Sequence, residues 1–171
     1  VTQQQIEHYY NTKGEDFKLS ANIIKGIFVK IPVNIGKPAE LKRIIDDNSE
    51  EGIKALKEYC IQYAKSFDFF TDKWVEFRMV RRYLPVEIDD PGLVLKQKSL
   101  IEQKDNDFFY LVSILDYKLQ NEPAPLEYVH ENIKNLILNQ RKIEFLQQIE
   151  ENVYKEGERQ NKFEIFAKKA N

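Results

Sequence analysis

One apolar run limits the folds open to this chain more than any other stretch. Between Asp107 and Asp116 it reads Asp-Phe-Phe-Tyr-Leu-Val-Ser-Ile-Leu-Asp, and polar residues flank it on both sides. Successive side chains of a strand point to opposite faces, so both faces of this strand would be apolar apart from Ser113. Such a strand lies inside a sheet with other elements packed on each side. The run therefore predicts the central strand of a sheet.

Two further stretches extend the predicted sheet. The polar turn Lys104–Asp107 predicts a hairpin that joins the central strand to Ser99–Glu102. Asn22–Pro32 is rich in β-branched residues, which predicts another strand. Gly26 is unusual inside a strand, and it indicates either a β-bulge or the close approach of another backbone.

Apolar spacing and end signals predict the helices. Thr2 and Gln5 fit a capping box at the start of a short helix that ends near Gly14. Three more helices are predicted. The first is Pro38–Ile45, and the second begins at Asn48 or Ser49 and has apolar positions as far as Phe67. The third is a long helix from Leu126 to about Glu156, ended by Gly157. Cys60 lies on the apolar face of the second of these, so we expect a small core residue rather than a reactive thiol.

The remaining predicted elements are short. They are a strand at Trp74–Phe77, a helical turn at Met79–Leu84, a turn at Asp89–Gly92 and a last strand at Lys162–Phe166. The whole order predicts an α+β fold with the long helix partly outside the domain. We expect a linker helix in residues 1–20, the domain in 21–120, and the long helix and terminal strand in 121–171.

Composition removes several classes of function. The net charge is -2, from 26 basic and 28 acidic residues, so no basic field indicates nucleic acid. No apolar run is long enough to predict a membrane span. Cys60 is the single cysteine, and His8 and His130 are far apart, so we expect no disulfide, metal or cofactor. The chain begins with Val1, and we expect a processed product or a piece of a longer protein.

Other chemistry has weaker signals. Three acidic pairs stand at predicted helix ends or turns, where capping explains them better than acid–base catalysis: Asp46-Asp47, Glu50-Glu51 and Asp89-Asp90. A basic patch at Arg78, Arg81 and Arg82 adjoins Met79 and Tyr83. This patch is either a solvated face or a surface that steers acidic segments.

The order of elements resembles that of parvulin-type peptidyl-prolyl isomerase domains, which have a strand, two or three helices, a short strand, a helix and a closing hairpin. Val1–Tyr10 looks like the helix that precedes such domains in SurA-like chaperones, and Pro123–Val129 with Lys142–Leu146 looks like the helix that follows. The whole sequence is similar to the C-terminal portion of such isomerases from Bacteroides-like bacteria. The resemblance implies a degenerate parvulin-like domain in the periplasm, either free or attached to the membrane through an upstream leader.

Both histidines of the family's enzymatic motif are replaced. Gly26 stands in Lys-Gly-Ile-Phe where active members carry the first histidine, and Tyr110 stands in Phe-Phe-Tyr-Leu-Val where they carry the second. Active members also carry a Gly-Gly-Asp-Leu-Gly-Trp run, of which only Trp74 has a counterpart here. The Met-Val pair that follows this run in the family is present at Met79, but one residue closer to the tryptophan than usual. The resemblance therefore favours a protein without enzymatic activity.

Five side chains occupy or flank positions that line the family's proline pocket. They are Phe28, Trp74, Met79, Tyr83 and Tyr110, and they either line a peptide-binding groove or fill the core. The leading hypothesis is a periplasmic chaperone segment that binds extended, unfolded envelope proteins. The alternatives are an active isomerase, in which Tyr110 and backbone groups replace the histidines, and an assembly module that associates, with a second copy for example, through the 126–156 helix.

Overall fold

The computed structural model describes residues 1–34, 37–47 and 49–159. These residues form an α+β fold with four strands and six α-helices. In chain order the elements are α1 (Gln3–Lys13), β1 (Ile23–Pro32), α2 (Pro38–Ile45), α3 (Glu50–Tyr63), β2 (Ser66–Glu76), α4 (Phe77–Arg81), α5 (Pro91–Gln97), β3 (Leu100–Lys104), β4 (Phe108–Lys118) and α6 (Leu126–Arg159). The order of strand, two helices, strand, helix and hairpin is the one that the sequence predicts, and α5 is an additional helix before the hairpin.

The four strands form one antiparallel sheet in the order β2-β1-β4-β3. The predicted central strand is β4, which pairs with β1 on one side and with β3, through the predicted hairpin, on the other. Tyr110 and Val112 face a core that includes residues of α4 and α5, whereas Leu111 faces a core that includes α2 and α3. Both faces of β4 are thus covered, as its sequence predicts.

Gly26 lies where two strands come unusually close. The pairing of β1 shifts register beside Gly26 against both of its neighbours. A Cβ atom on Gly26 would lie 2.0 Å from the backbone carbonyl oxygen of Ser113 on β4. The bulge and the close backbone approach that the glycine indicates therefore occur together.

The predicted capping signals are confirmed at two helices. The backbone N–H of Thr2 donates to the Gln5 side chain, and the Gln5 N–H donates back to the Thr2 hydroxyl. Ser49 caps α3 by accepting from the N–H of Gly52 at 3.0 Å. Cys60 is fully buried in the core, and this burial raises the pKa of its thiol to about 12.

Three predictions in the middle of the chain are wrong. Phe67 belongs to β2 rather than to α3, and β2 runs from Ser66 to Glu76 rather than over the last few residues only. Its outer positions are polar because it is an edge strand, and this hides the strand pattern. The predicted turn at Asp89–Gly92 is instead the start of α5, where Asp90 Oδ1 accepts from the N–H of Leu93 at 2.9 Å.

The long helix α6 continues to Arg159, so Gly157 does not end it. The last predicted strand, Lys162–Phe166, lies outside the described residues. The structure divides into two compact units, Lys13–Tyr128 and Val1–Thr12 with the described residues from Val129 on. No helix in the described ranges combines the length and apolar character that a membrane crossing requires.

Candidate functional site

The structure brings together three of the five side chains that the sequence singles out, namely Phe28, Tyr83 and Tyr110. Phe28 on β1 and Tyr110 on β4 are buried in the same core, on the sheet face that is covered by α4 and α5. Tyr83 follows α4, and its ring packs on that of Phe28 with 5.3 Å between centroids and a tilt of 30°. Met79 stands four residues earlier, one helical turn away from Tyr83.

Met79 and Tyr83 are exposed to solvent although their chemistry suits a core. Met79 is 47% exposed, Tyr83 is 63% exposed, and Val86 three residues later is exposed as well. We call these three side chains the 79–86 surface. Gln103 on β3 holds its far end by accepting from the Val86 N–H at 2.8 Å and donating to the Val86 carbonyl at 3.0 Å. The surface is therefore apolar and exposed, and it contacts the sheet at Tyr83 and at Val86.

Trp74 lies apart from this surface. The Lys25 ammonium group is 5.0 Å from the centre of the indole ring and forms an ion pair with Glu127 at 2.7 Å. This hydrogen bond is the main reason why the pKa of Glu127 is lowered, and the nearby indole N–H of Trp74 adds to it. The indole N–H is buried, and it forms no hydrogen bond with any residue that the structure describes. Trp74 thus belongs to a polar contact with the start of α6.

Tyr110 is only 4% exposed, and its hydroxyl group is already engaged. It donates a hydrogen bond of 2.7 Å to Asp105 Oδ2, while Asp105 Oδ1 accepts from the backbone N–H groups of Asp107 and Phe108. Burial first, and then the contact with Asp105, raise the pKa of Tyr110 to about 12. The hydrogen bond from Tyr110, followed by those from the two backbone N–H groups, lowers the pKa of Asp105.

Two residues of this neighbourhood escaped the sequence analysis. Asp105 fixes the hairpin turn, and its place just before Asn-Asp is a signal for such a turn. Lys30 stands opposite Tyr110 in the β1–β4 pair, and its ammonium group lies 4.1 Å from the ring centre of Phe108 and 5.0 Å from that of Tyr110. Lys30 could be identified only from the register of the β1–β4 pair, because the sequence alone does not say which residue of β1 lies opposite Tyr110.

The predicted basic patch adjoins the 79–86 surface. Arg78 is paired with Glu76, whereas Arg81 and Arg82 form no ion pair with any residue that the structure describes. The three arginine residues line a cleft of about 350 Å³ together with Leu84, Glu87 and Ile88. An exposed apolar surface therefore lies beside two arginine side chains that are available to an acidic ligand.

The described part of the chain holds no cluster of His, Cys, Asp and Glu that could bind a metal ion. The 79–86 surface and the adjoining arginines supply apolar contacts and positive charge, and these properties suit the binding of a ligand. Comparison of the chain with protein families, with characterised proteins and with solved structures finds no match.

Proposed function

We propose that this protein binds extended segments of unfolded polypeptides through the 79–86 surface, as a chaperone segment without isomerase activity. The observation that carries the proposal is the exposure of the Met79 and Tyr83 side chains, together with the packing of Tyr83 on the buried ring of Phe28. Apolar side chains that are both clustered and exposed mark binding surfaces more often than isolated ones do. Methionine also adapts to ligands of different shape, which suits varied clients.

The arrangement favours extended chains with aromatic or aliphatic side chains. An apolar side chain of the client would pack on Tyr83 and Met79, where the exposed faces leave room for it. Acidic groups of the client would reach Arg81 and Arg82 on the same helical turn. The order of elements in the sheet domain also agrees with the parvulin-type resemblance, from which the periplasmic location follows as part of the same proposal.

Two features favour binding over catalysis. Gly26 stands where the family carries its first histidine, and the Ser113 carbonyl oxygen occupies the space that any side chain would need. Tyr110 stands at the second histidine position, but it is buried and its hydroxyl proton is held by Asp105. We therefore expect no acceleration of proline isomerisation in a protease-coupled assay with a short Xaa-Pro peptide. Turnover close to that of an active parvulin, abolished by Tyr110→Phe, would establish the isomerase alternative instead.

Peptide binding is tested with a fluorescein-labelled, aromatic-rich peptide and fluorescence anisotropy. Tyr83→Ala and Met79→Ala should each weaken binding by about five- to thirtyfold, because each removes roughly 1–2 kcal/mol of apolar contact. Both side chains are largely exposed, so the melting temperature should hardly change. A buried side chain would instead cost about 2–5 kcal/mol of stability when truncated.

The control is Ile61→Ala, which removes an apolar side chain of α3 that is even more exposed, at 77%. It should leave the affinity unchanged. Equal losses from Ile61→Ala and Tyr83→Ala would mean that binding is non-specific. Unchanged affinity in both surface variants, or a peptide that does not bind at all, would contradict the proposed function.

A second candidate function, assembly with another protein through α6, rests on a separate observation. Between Leu138 and Tyr154, α6 carries exposed apolar side chains. Exposed apolar stripes of this extent favour association, so an assembly role would not depend on the 79–86 surface.

A further inference from the structure

Between Leu138 and Tyr154 of α6, seven apolar side chains are each more than one third exposed. They are Leu138, Ile143, Phe145, Leu146, Ile149, Val153 and Tyr154. We call them the distal stripe. An amphipathic helix on a protein surface normally turns such a stripe towards a core, but here the stripe faces solvent.

The distal stripe lies on the side of α6 that faces away from α1. At about 100° per residue, Ile143, Ile149 and Val153 fall within about 60° of Leu146 around the helix axis. Ile137 and Glu144 lie about 160–180° from Leu146. These two residues line a cleft of about 600 Å³ together with Gln4, Gln5 and His8 of α1. Helix α1 therefore leaves the distal stripe uncovered.

The centre of the stripe is complementary to its own reversed copy. Leu146 is flanked by an isoleucine three residues away on each side, Ile143 and Ile149. Four residues away stand opposite charges, with Lys142 before the centre and Glu150 after it. Read backwards about Leu146, Ile143 falls on Ile149, Leu138 falls on Tyr154, and Lys142 and Glu150 exchange places, whereas Phe145 and Val153 fall on Gln147 and Asn139. Such self-complementarity is the requirement for a two-fold symmetric interface.

We propose that α6 pairs antiparallel with α6 of a second copy of this chain, centred on Leu146. This register places Leu146 against its own copy and Ile143 at the level of Ile149. It also places Lys142 of one copy at the level of Glu150 of the other. A parallel pair would align Lys142 with Lys142 and Glu150 with Glu150, which repel each other. The charges therefore select the antiparallel orientation.

The size of the interface sets the strength of the pair. From Leu138 to Tyr154 the stripe is about 24 Å long at 1.5 Å per residue. Pairing two such stripes buries on the order of 1,000 Å², the lower end of specific interfaces. We expect a dimer that dissociates in the micromolar range, so its mass must be measured over a series of concentrations.

Sedimentation velocity tests the pairing. The wild-type chain should shift from monomer to dimer as its concentration rises, and Leu146→Lys should raise the dissociation constant at least about tenfold, because each dimer loses two buried leucine side chains. Ile61→Lys, at an exposed position of α3, is the matched control and should dimerise like the wild type. An unreactive Cys60 thiol and unchanged helical circular dichroism verify that each variant is folded.

Disulfide trapping tests the orientation. Asn139 and Val153 are both exposed and equally distant from Leu146, so an antiparallel pair brings Asn139 of one copy to Val153 of the other. A mixture of Asn139→Cys and Val153→Cys should form the mixed disulfide under mild oxidation, with little of either homodimer. In a parallel pair these positions are about 21 Å apart, too far for a disulfide.

Charge reversal gives an independent test. Lys142→Glu and Glu150→Lys should each weaken the dimer, whereas the double variant should restore it, because only an antiparallel pair exchanges these charges. A chain that stays monomeric at every concentration would overturn the proposal. So would a dimer that is indifferent to Leu146→Lys, or homodimeric disulfides as the main products. None of these outcomes bears on peptide binding at the 79–86 surface.

Discussion

Substitution of Gly26 probes the close approach of β1 to the backbone of β4. This contact leaves no room for a side chain at position 26. In Gly26→Ala the new Cβ would lie 2.0 Å from the Ser113 carbonyl oxygen and 3.2 Å from Cε2 of Phe70. The oxygen belongs to the backbone of β4, so relief requires the two central strands to move apart by more than about 1 Å. Overpacking of this kind costs about 1–3 kcal/mol, and a backbone neighbour places the cost at the upper end.

The loss of unfolded-state entropy offsets part of this cost, by about 0.4–1 kcal/mol. We therefore expect Gly26→Ala to lower the free energy of unfolding by about 2–2.6 kcal/mol in urea denaturation, and Gly26→His to lower it further. Gly92→Ala is the control, because its nearest neighbour would be 3.5 Å away and its backbone is already helical. It should leave stability unchanged or raise it by up to about 1 kcal/mol. A Gly26→Ala variant within about 0.5 kcal/mol of the wild type would refute the reasoning.

Three further predictions follow from the core and the basic patch. The Cys60 thiol should react with Ellman's reagent only as fast as the protein unfolds, since it is fully buried and its pKa is raised; rapid reaction in the native state would contradict this. Tyr110 has a raised pKa in the folded state, so its contribution to stability is complete below its ordinary pKa near 10 and is lost as the pH rises towards about 12. Tyr110→Phe should therefore be less stable at neutral pH, because Asp105 loses a hydrogen bond, and should lose less stability between pH 10 and 12 in urea titrations. The double variant Arg81→Gln, Arg82→Gln should weaken the binding of an acidic aromatic peptide several-fold more than the binding of its neutral amide analogue. This difference should shrink in high salt. Equal losses of affinity for the two peptides would show that the arginines do not contact the client.

The sheet could be predicted because its sequence signals are local. The run around Tyr110 is apolar on both faces, and its turn and partner strand adjoin it in the chain. Gly26 could be interpreted for a similar reason, since a glycine inside a strand has few explanations. The edge strand β2 was underestimated because its outer positions carry polar residues such as Asp68 and Asp72, as an edge requires.

The candidate site was harder to predict because it depends on contacts between distant residues. The sequence placed Phe28, Trp74 and Tyr83 in one group, yet Trp74 packs with Lys25 instead. Pattern alone does not reveal which side chains of a mixed group are buried. The apolar spacing of α6 predicts a helix but not which positions are covered, and Leu146 lies about 140° around the helix from the buried Ile133. Spacings of three and four residues let a stripe wind around its helix, which a list of positions does not show.

The central claim is that clients bind at the 79–86 surface, and the chain provides its own reporter. Met79 is the single methionine and Trp74 the single tryptophan, and they lie in different environments. The ¹³C-labelled ε-methyl signal of Met79 should therefore shift with saturation when the aromatic-rich peptide is titrated, while the indole N–H signal of Trp74 stays in place. A Met79 signal that does not move while anisotropy reports binding would contradict the claim.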